Sequence, residues 1–336
     1  MIPFDLASVD EYLRARIEEH HIPALSVAIV RDGETLVERA QGVANLEWDA
    51  AATPDTSFQL ASVTKLLTAT LLMALVDDGV VRLDASVLEY LPDAPESWAA
   101  ITLRHLASHT SGIPDDVGTV ASVDEAVEAA THLPLEYKAG EKVRYGLLDF
   151  TVLTQVLETV TGKDFQSLLQ DRLLTPLQMT STRFDNTTEL SDQPVRVSDV
   201  VPHRASIYEW SGHAQRAYSF LFPAWTYSAG GLLSSAADLA RWAGALDGGG
   251  FLRPDSLEQM WTPQRLGDGT NGAFGVGWIV DEHRGEKATG HSGGPALADI
   301  VRFPDQKLTI IVLTNQQNLR PYLAMGVADV VASAAQ

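Results

Sequence analysis

The N-terminal part of the chain predicts a helix followed by a two-stranded hairpin. Over residues 6–20 the apolar residues recur every three or four positions, which is the spacing of one helical face, and Pro23 ends that pattern. Residues 25–30 are apolar apart from one serine, which is typical of a buried strand. Asp32-Gly33 predicts a tight turn that lets residues 35–40 pair back on that strand.

The rest of the chain divides into a helical middle and a strand-rich end. Short helical patterns in the middle cover residues 101–108, 123–131 and 150–160. The last third predicts three strands, a turn at Pro304-Asp305 and a closing helix, at residues 274–280, 298–303, 308–313 and 321–335. We therefore predict a mixed α/β (α+β) protein. Residues 1–56 and 228–336 would form a sheet lobe and residues 57–227 a mostly helical lobe, with the site in the cleft between them.

Composition excludes several classes of function. The 336 residues carry a net charge of −20, and an acidic surface repels phosphate backbones and anionic lipids, so we expect neither nucleic acid nor membrane partners. There is no cysteine and no zinc or phosphate-loop pattern, so we expect no metal or other cofactor. The first residues lack a signal-peptide pattern, and the longest apolar run, residues 66–76, is too short for a membrane span. We expect a cytoplasmic protein.

One tetrad, Ser62-Val63-Thr64-Lys65, opens the most apolar helical pattern in the chain. Residues three apart on a helix are neighbours, so Ser62 and Lys65 would share one face. The buried helix would desolvate the lysine and lower its pKa, and a neutral amine beside a hydroxyl can take its proton. The tetrad is also what an N-cap serine before a solvated lysine would show, but Lys65 is the one lysine of six with a serine three positions earlier.

Two further segments offer the remaining parts of a catalytic site. Tyr145 precedes a predicted helix, whose positive end would favour the phenolate, but a core tyrosine would give the same pattern. Residues 290–294 are rich in glycine, which frees backbone N–H groups to face an anion, although a turn between strands is rich in glycine too. Sequence alone leaves both alternatives open.

The same glycine-rich segment also spells a Gly-x-Ser-x-Gly nucleophile elbow with Ser292 at its centre. That motif needs a histidine later in the chain, and His291 is the last of the nine. It also needs a following helix, whereas residues 298–301 predict a strand. We therefore reject this alternative.

Taken together in this order, these motifs resemble the serine β-lactamase and penicillin-recognising superfamily. The branch they look most like contains the class C β-lactamases and the family VIII carboxylesterases. Besides the tetrad and the tyrosine segment, the similar stretches are residues 22–30, 103–112, 227–235 and 290–294. The resemblance implies an antiparallel sheet flanked by helices, a mostly helical lobe, and an active site between them.

The resemblance also implies a role for each matching position. Ser62 would be the acylated nucleophile, Lys65 would share or relay its proton, and Tyr145 would act as general base and acid. The backbone N–H groups of Ser62 and Gly294 would form the oxyanion hole. Substrate contacts would come from the segment His291, Ser292 and Gly293.

Two departures from the lactamase pattern point toward neutral esters. Leu147 stands where the tyrosine motif usually has an asparagine that binds the amide beside a lactam ring. His291 replaces a lysine, which removes a fixed cation for the lactam carboxylate. We therefore predict a serine carboxylesterase that hydrolyses small to medium esters. The alternatives are a β-lactamase or D-amino-acid peptidase of the same fold and, in another class, a catalytically silent binding or assembly protein.

An aromatic-rich stretch over residues 208–227 is the remaining candidate for substrate contact. It holds seven of the 25 aromatic residues, Trp210 and Trp225 among them, and could wall an apolar substrate pocket. A lobe-packing patch or a homo-oligomer interface would have the same composition. The pair His105 and His109 lacks an acidic pattern typical of a metal site, so we assign it to packing and capping.

Overall fold

The computed structural model of the protein describes residues 6–190, 195–220, 222–294, 296–318 and 323–333. The helices are α1 (Leu6–His20), α2 (Thr64–Asp77), α3 (Leu103–Ala107), α4 (Val123–Thr131), α5 (Leu148–Thr161), α6 (Phe165–Leu169), α7 (Tyr227–Gly230), α8 (Ala236–Asp247), α9 (Pro254–Met260) and α10 (Leu323–Ser333). The strands are β1 (Ala24–Arg31), β2 (Glu34–Asn45), β3 (Ala50–Ala51), β4 (Phe58–Gln59), β5 (Thr188–Leu190), β6 (Val195–Val197), β7 (Ile207–Trp210), β8 (Gln215–Tyr218), β9 (Leu233–Ser234), β10 (Ile279–His283), β11 (Glu286–Gly293), β12 (Ala296–Phe303) and β13 (Leu308–Gln317).

The main sheet joins the two ends of the chain. Its strand order is β10-β11-β12-β13-β1-β2-β3, and every neighbouring pair along this path is antiparallel. The C-terminal strand β13 therefore lies directly against the N-terminal strand β1. The predicted antiparallel sheet is confirmed.

Both faces of this sheet are covered, which explains the continuous apolar sequence of its central strands. Successive side chains of a strand point to opposite faces. On β1, Ala28 belongs to the larger core with α2, α5 and α8, whereas Val27 and Ile29 belong to a smaller core with α1 and α10. A strand buried on both faces has no polar side to expose.

Helix α2 is buried on all sides, as its apolar sequence predicts. Every residue from Thr64 to Leu75 is buried. The tetrad does not lie on this helix alone, because Ser62 belongs to a 3₁₀ turn over Ala61–Val63 that precedes it. Lys65 lies in the first turn of α2, so the two side chains still come from adjacent turns of one continuous segment.

Most predicted elements are confirmed, and the longest of the strands that the sequence did not predict is β11. Helix α1, the β1–β2 hairpin, α4, α5, β12 and β13 lie where they were expected. The strand predicted over residues 274–280 begins only at Ile279, and β11 contains the glycine-rich segment. Glycine is disfavoured in strands, but Gly290 is required here because a Cβ would lie 2.0 Å from the carbonyl oxygen of Ile300.

The division into two lobes stays a prediction, and the structure adds one element that crosses it. Strand β7 lies in the range assigned to the helical lobe, yet its Tyr208 pairs in parallel with Gln316 of the main sheet. Between β4 and β9, which pair with each other, the chain is otherwise mostly helix and loop. None of the described helices combines the length and apolar character needed to cross a bilayer.

Candidate active site

Three segments of the chain meet at Ser62. They are the 3₁₀ turn that carries Ser62, the loop before α5 that carries Tyr145, and the end of β11. The Tyr145 hydroxyl donates a hydrogen bond to Ser62 Oγ over 2.7 Å. The structure therefore joins two residues that are 83 positions apart in the chain and that the sequence analysis placed in one site.

Lys65 lies beside this pair in a fully buried position. Its Nζ donates to the carbonyl oxygen of Ala229 over 2.9 Å and lies 4.8 Å from the centre of the Tyr145 ring. Desolvation lowers the pKa of Lys65 from its ordinary value of 10.5 to about 7, although the charges of Asp115 and Asp149 act to raise it. A large fraction of Lys65 is thus neutral near pH 7, as a general base requires.

The expectation that the α5 dipole favours a Tyr145 phenolate is wrong. Tyr145 as a whole residue is 43% exposed, but its hydroxyl points inward and is held against Ser62 Oγ, so burial of the hydroxyl decides its pKa. Burial raises the pKa of Tyr145 to about 12, and the hydrogen bond with Ser62 only partly opposes this. Helix α5 begins three residues later, at Leu148, and a helix dipole acts only within its first turn. The resting hydroxyl therefore keeps its proton.

The end of β11 passes close to the backbone of Ser62. A Cβ on Gly293 would lie 2.2 Å from the carbonyl oxygen of Leu60 and 3.0 Å from the Ser62 nitrogen, so only glycine fits. Gly294 follows directly, and a Cβ added to it would meet no atom within 4 Å. The strand end thus runs along the backbone of Ser62. An oxyanion hole formed by the N–H groups of Ser62 and Gly294 would need its second N–H group at this place.

The residue before Ser62 has a strained backbone. Ala61 adopts a φ of +46°, in the left-handed region that residues other than glycine rarely occupy. Such strain persists only where surrounding structure enforces it, and it concentrates at functional sites. Here the enforcing contacts include β11, because a Cβ on Gly293 would also lie 3.1 Å from the Cβ of Ala61.

His291 is a neutral group in this cleft. Burial, together with the charge of Lys65, lowers its pKa to about 3. Its Nδ1 lies 2.8 Å from the carbonyl oxygen of Ser292, which can only accept, so Nδ1 carries the proton and Nε2 the lone pair. No described residue bonds Nε2. Ser292 itself borders a cavity of about 210 Å³ that Asp299 and Met325 also line, and its contact with substrate stays a prediction.

The loop that carries Tyr145 is fixed by Asp115, which the sequence analysis missed. One oxygen of its carboxylate accepts from the backbone N–H groups of Leu147 and Leu148, each over 2.7 Å. A Cβ on Gly146 would lie 2.9 Å from the same oxygen. Leu147 is the N-cap of α5 and packs against the larger core, and its role in substrate binding stays a prediction.

Aromatic rings surround Tyr145, but not those of the aromatic-rich stretch. The ring centres of His109, His291 and Phe274 lie 4.6, 5.8 and 5.9 Å from that of Tyr145. Trp210 instead stacks on His21 with ring centres 3.9 Å apart. Trp225 borders a cavity of about 130 Å³ with residues of α5 and α6. The pocket role of both tryptophans stays a prediction.

The histidine pair separates into two different environments. His105 completes a capping box at the start of α3, as expected, whereas His109 is buried beside Asp149. In the part of the chain that the structure describes, no three acidic, histidine or cysteine side chains form a metal-binding group.

Comparison with known proteins identifies the family of this chain. The sequence model of the Beta-lactamase family matches residues 9–332, which is nearly the whole chain. The chain belongs to the beta-lactamase family. Members of this family are generally serine hydrolases, and their fold is the mixed sheet-and-helix architecture described above.

Individual relatives of this beta-lactamase-family protein are distant. Protein flp of Staphylococcus aureus (strain NCTC 8325 / PS 47) is 25% identical over 330 residues, which cover 91% of this chain and 62% of flp. Penicillin-binding protein 4 of Amycolatopsis lactamdurans is 37% identical over 186 residues, covering 52% of this chain and 48% of the relative. The chain thus spans about three fifths of the length of flp.

Solved structures show the same fold over almost the entire chain. The octameric penicillin-binding protein homologue from Pyrococcus abyssi has a TM-score of 0.81 and 25% identity, covering 98% of this chain and 78% of that protein. SurE has a TM-score of 0.80 and 23% identity, covering 98% of this chain and 76% of SurE. At this identity the likeness to SurE shows the fold alone.

Proposed function

We propose that the protein is a serine carboxylesterase that hydrolyses small to medium, uncharged esters through an acyl-enzyme. The observation that carries this proposal is the hydrogen bond between Tyr145 and Ser62 beside the desolvated amine of Lys65. A hydroxyl nucleophile needs an adjacent base and a second proton carrier, and these two side chains supply both. The intact set also argues against a catalytically silent binding protein.

In the proposed acylation, neutral Lys65 takes the proton of Ser62 as Oγ attacks the ester carbonyl carbon. The backbone N–H groups of Ser62 and Gly294 hold the resulting oxyanion. Tyr145 then gives its proton to the leaving alcohol oxygen as the C–O bond breaks, and it regains a proton from the Lys65 ammonium. This order is supported by the two pKa values, since near pH 7 Tyr145 keeps its proton whereas a large fraction of Lys65 has a free lone pair.

Deacylation reverses these proton movements with water in place of the alcohol. Water attacks the acyl carbon while Tyr145 takes its proton and passes its own to Lys65. Collapse of the tetrahedral intermediate breaks the bond to Ser62 Oγ, which recovers its proton from Lys65. The acid product leaves, and the three side chains return to their starting protonation states.

The preference for uncharged esters is supported by the charge of the cleft. His291 is neutral throughout the working pH range, so it offers no cation for a substrate carboxylate. Lys65 is buried and its Nζ is held by Ala229, so it is not available as a carboxylate-binding residue. The side chain of Leu147 has no hydrogen-bond donor for the amide oxygen of a β-lactam substrate. Each of these features would weaken binding of a β-lactam.

Parallel kinetics on p-nitrophenyl butyrate and nitrocefin would test the proposal, with wild type and Ser62→Ala. We expect ester turnover that is lost in the variant, with little nitrocefin turnover. Efficient nitrocefin turnover would instead indicate a β-lactamase or D-amino-acid peptidase. Ester turnover that survives in Ser62→Ala would refute the mechanism. A fluorophosphonate that labels neither protein would favour the catalytically silent alternative.

We also propose that the protein self-associates. The similar structure from Pyrococcus abyssi is octameric, which supports this proposal without fixing the number of subunits. Light scattering on the purified protein would test it, and a molar mass equal to the 36.3 kDa of one chain would refute it.

A further inference from the structure

Behind Tyr145 lies a buried polar chain that the catalytic steps above do not use. Asp149 accepts a hydrogen bond of 2.5 Å from the Ser111 hydroxyl, and its second carboxylate oxygen lies 3.2 Å from Nδ1 of His109. Ser111 in turn accepts from the backbone N–H of Ile113 over 3.0 Å. His109, Ser111 and Asp149 are all buried, so these bonds are shielded from water.

This chain is attached to the Tyr145 loop from two sides. The carbonyl oxygen of His109 accepts from the backbone N–H of Arg144 over 2.9 Å, one residue before Tyr145. The His109 ring packs against the Tyr145 ring, with centres 4.6 Å apart. Asp149 belongs to α5, which begins just after the loop. The His109–Asp149 contact therefore closes a ring of interactions around residues 144–148.

The position of His109 is energetically unfavourable in two respects, its backbone conformation and a ring nitrogen that is unpaired among the described residues. Its φ is +57°, in the left-handed region, and none of the described residues bonds its Nε2. Burial lowers the pKa of His109 and raises that of Asp149, so in both groups desolvation opposes the charged form. A buried and strained polar pair beside a reacting group is typical of a site whose geometry matters.

We propose that His109 and Asp149 are positioning residues that hold the Tyr145 hydroxyl on Ser62. They act through the Tyr145 ring and the adjoining backbone, and they do not touch the substrate. The inference rests on the proposed function, because it assigns importance to proton transfer by Tyr145. Misplacing a catalytic group by about 1 Å is enough to lower a rate about 100-fold, so loss of this support is measurable.

Two substitutions of Asp149 separate positioning from simple packing. Asp149→Ala removes both hydrogen bonds, and we expect kcat to fall about 10- to 100-fold with KM changed by less than about twofold. Asp149→Asn keeps the shape and can bond both neighbours without charge, so we expect kcat within about threefold of wild type. Wild-type kcat in Asp149→Ala, or a loss confined to KM, would overturn the proposal.

A matched control comes from a buried aspartate elsewhere. Asp238 on α8 accepts from the Thr182 hydroxyl and the Ser181 N–H, each over 2.8 Å. Asp238 also pairs with Arg241 over 2.6 Å, so Asp238→Ala removes a buried carboxylate with at least as many partners. We expect a fall in thermal midpoint at least as large as that of Asp149→Ala, with unchanged kcat. An equal loss of kcat in this control would mean that general destabilisation explains the result. If Asp149→Ala does not fold, Ser111→Ala weakens the same pair from one side and should lower kcat severalfold.

A double-variant comparison tests whether the pair acts through Tyr145. In a Tyr145→Phe background, adding Asp149→Ala should lower the rate by no more than about twofold, because the hydroxyl that it positions is already absent. A full multiplicative loss would overturn the proposal.

The rate of fluorophosphonate labelling of Ser62 gives a second readout that does not depend on ester turnover. If the reagent labels wild type and labels Asp149→Ala more slowly, the result supports the positioning role. If wild type is labelled in this way but hydrolyses no ester, only the proposed esterase function fails. Absence of wild-type labelling would overturn both.

Discussion

Replacing Lys65 by methionine should inactivate the enzyme and stabilise it in a pH-dependent way. The pKa of Lys65 is lowered from 10.5 to about 7 because the side chain is desolvated. At 1.36 kcal/mol per pH unit, burying the ammonium costs about 5 kcal/mol of folding free energy well below pH 7. Methionine fills a similar volume without a charge, so Lys65→Met removes this cost.

The sign of the pH dependence follows from the proton balance. Above pH 7 the folded amine loses its proton, while the unfolded amine keeps its proton up to about pH 10.5. The unfolded state then binds more protons, so this group makes the wild type more stable as the pH rises through that window. The remaining cost is about 4 kcal/mol at pH 7 and about 2 kcal/mol at pH 9.

The measurement is the free energy of unfolding in urea for both proteins at pH 7 and pH 9. Lys65→Met also leaves the carbonyl of Ala229 without its donor, but that loss is the same at both pH values and cancels. We expect the stability of wild type relative to Lys65→Met to rise by about 2 kcal/mol between pH 7 and pH 9. The comparison requires equal m values in all four experiments.

An exposed lysine gives the matched control. Lys138 is exposed, so Lys138→Met makes the same substitution without removing a buried side chain, and its free energy of unfolding is measured at the same two pH values. A difference between wild type and Lys65→Met that stays constant within about 0.5 kcal/mol would refute the reasoning. Lys65 would then be protonated near pH 7, as an ordinary lysine is, and it could not take the Ser62 proton in the first step of the proposed acylation.

Three other predictions test the same site. The value of kcat/KM should fall tenfold per pH unit below about pH 7 because protonated Lys65 cannot act as base, and a flat profile down to pH 5 would exclude this role. Tyr145→Phe should lower kcat about 10²- to 10⁴-fold with the thermal midpoint little changed, whereas full activity would remove Tyr145 from the mechanism. Gly293→Ala should nearly abolish activity because its Cβ would meet the Leu60 carbonyl oxygen at 2.2 Å, while Gly250→Ala, which has open space, should remain active.

The sequence predicted the parts of the site that depend on local pattern. The continuous apolar run after Lys65 is enough to indicate a buried helix, and burial is the cause of the lowered pKa of Lys65. The covering of β1 on both faces likewise follows from its apolar sequence. In these cases the apolar character of one continuous segment is enough to predict its burial.

Other features depend on contacts between distant segments, and no local pattern reports them. Asp115 follows Pro114 in a loop, and nothing in its surroundings indicates that it binds backbone groups 32 and 33 residues later. The dipole argument for Tyr145 failed because burial by other segments outweighed it. Strand β11 was missed because glycine disfavours strands, and the need for Gly290 becomes visible only beside Ile300 of β12.

The same apolar surroundings determine the protonation of Lys65 and the absence of a cation at His291. The apolar surroundings that lower the pKa of Lys65 also lower that of His291, so one group becomes a usable base and the other loses its cation. A fixed ammonium at position 291 would oppose protonation of Lys65 still further and would require an anionic partner, such as a substrate carboxylate. With a neutral histidine there, position 291 requires no anionic partner. Under the proposed function, an uncharged ester would therefore suit the cleft, whereas a carboxylate substrate would bring an unpaired charge into it.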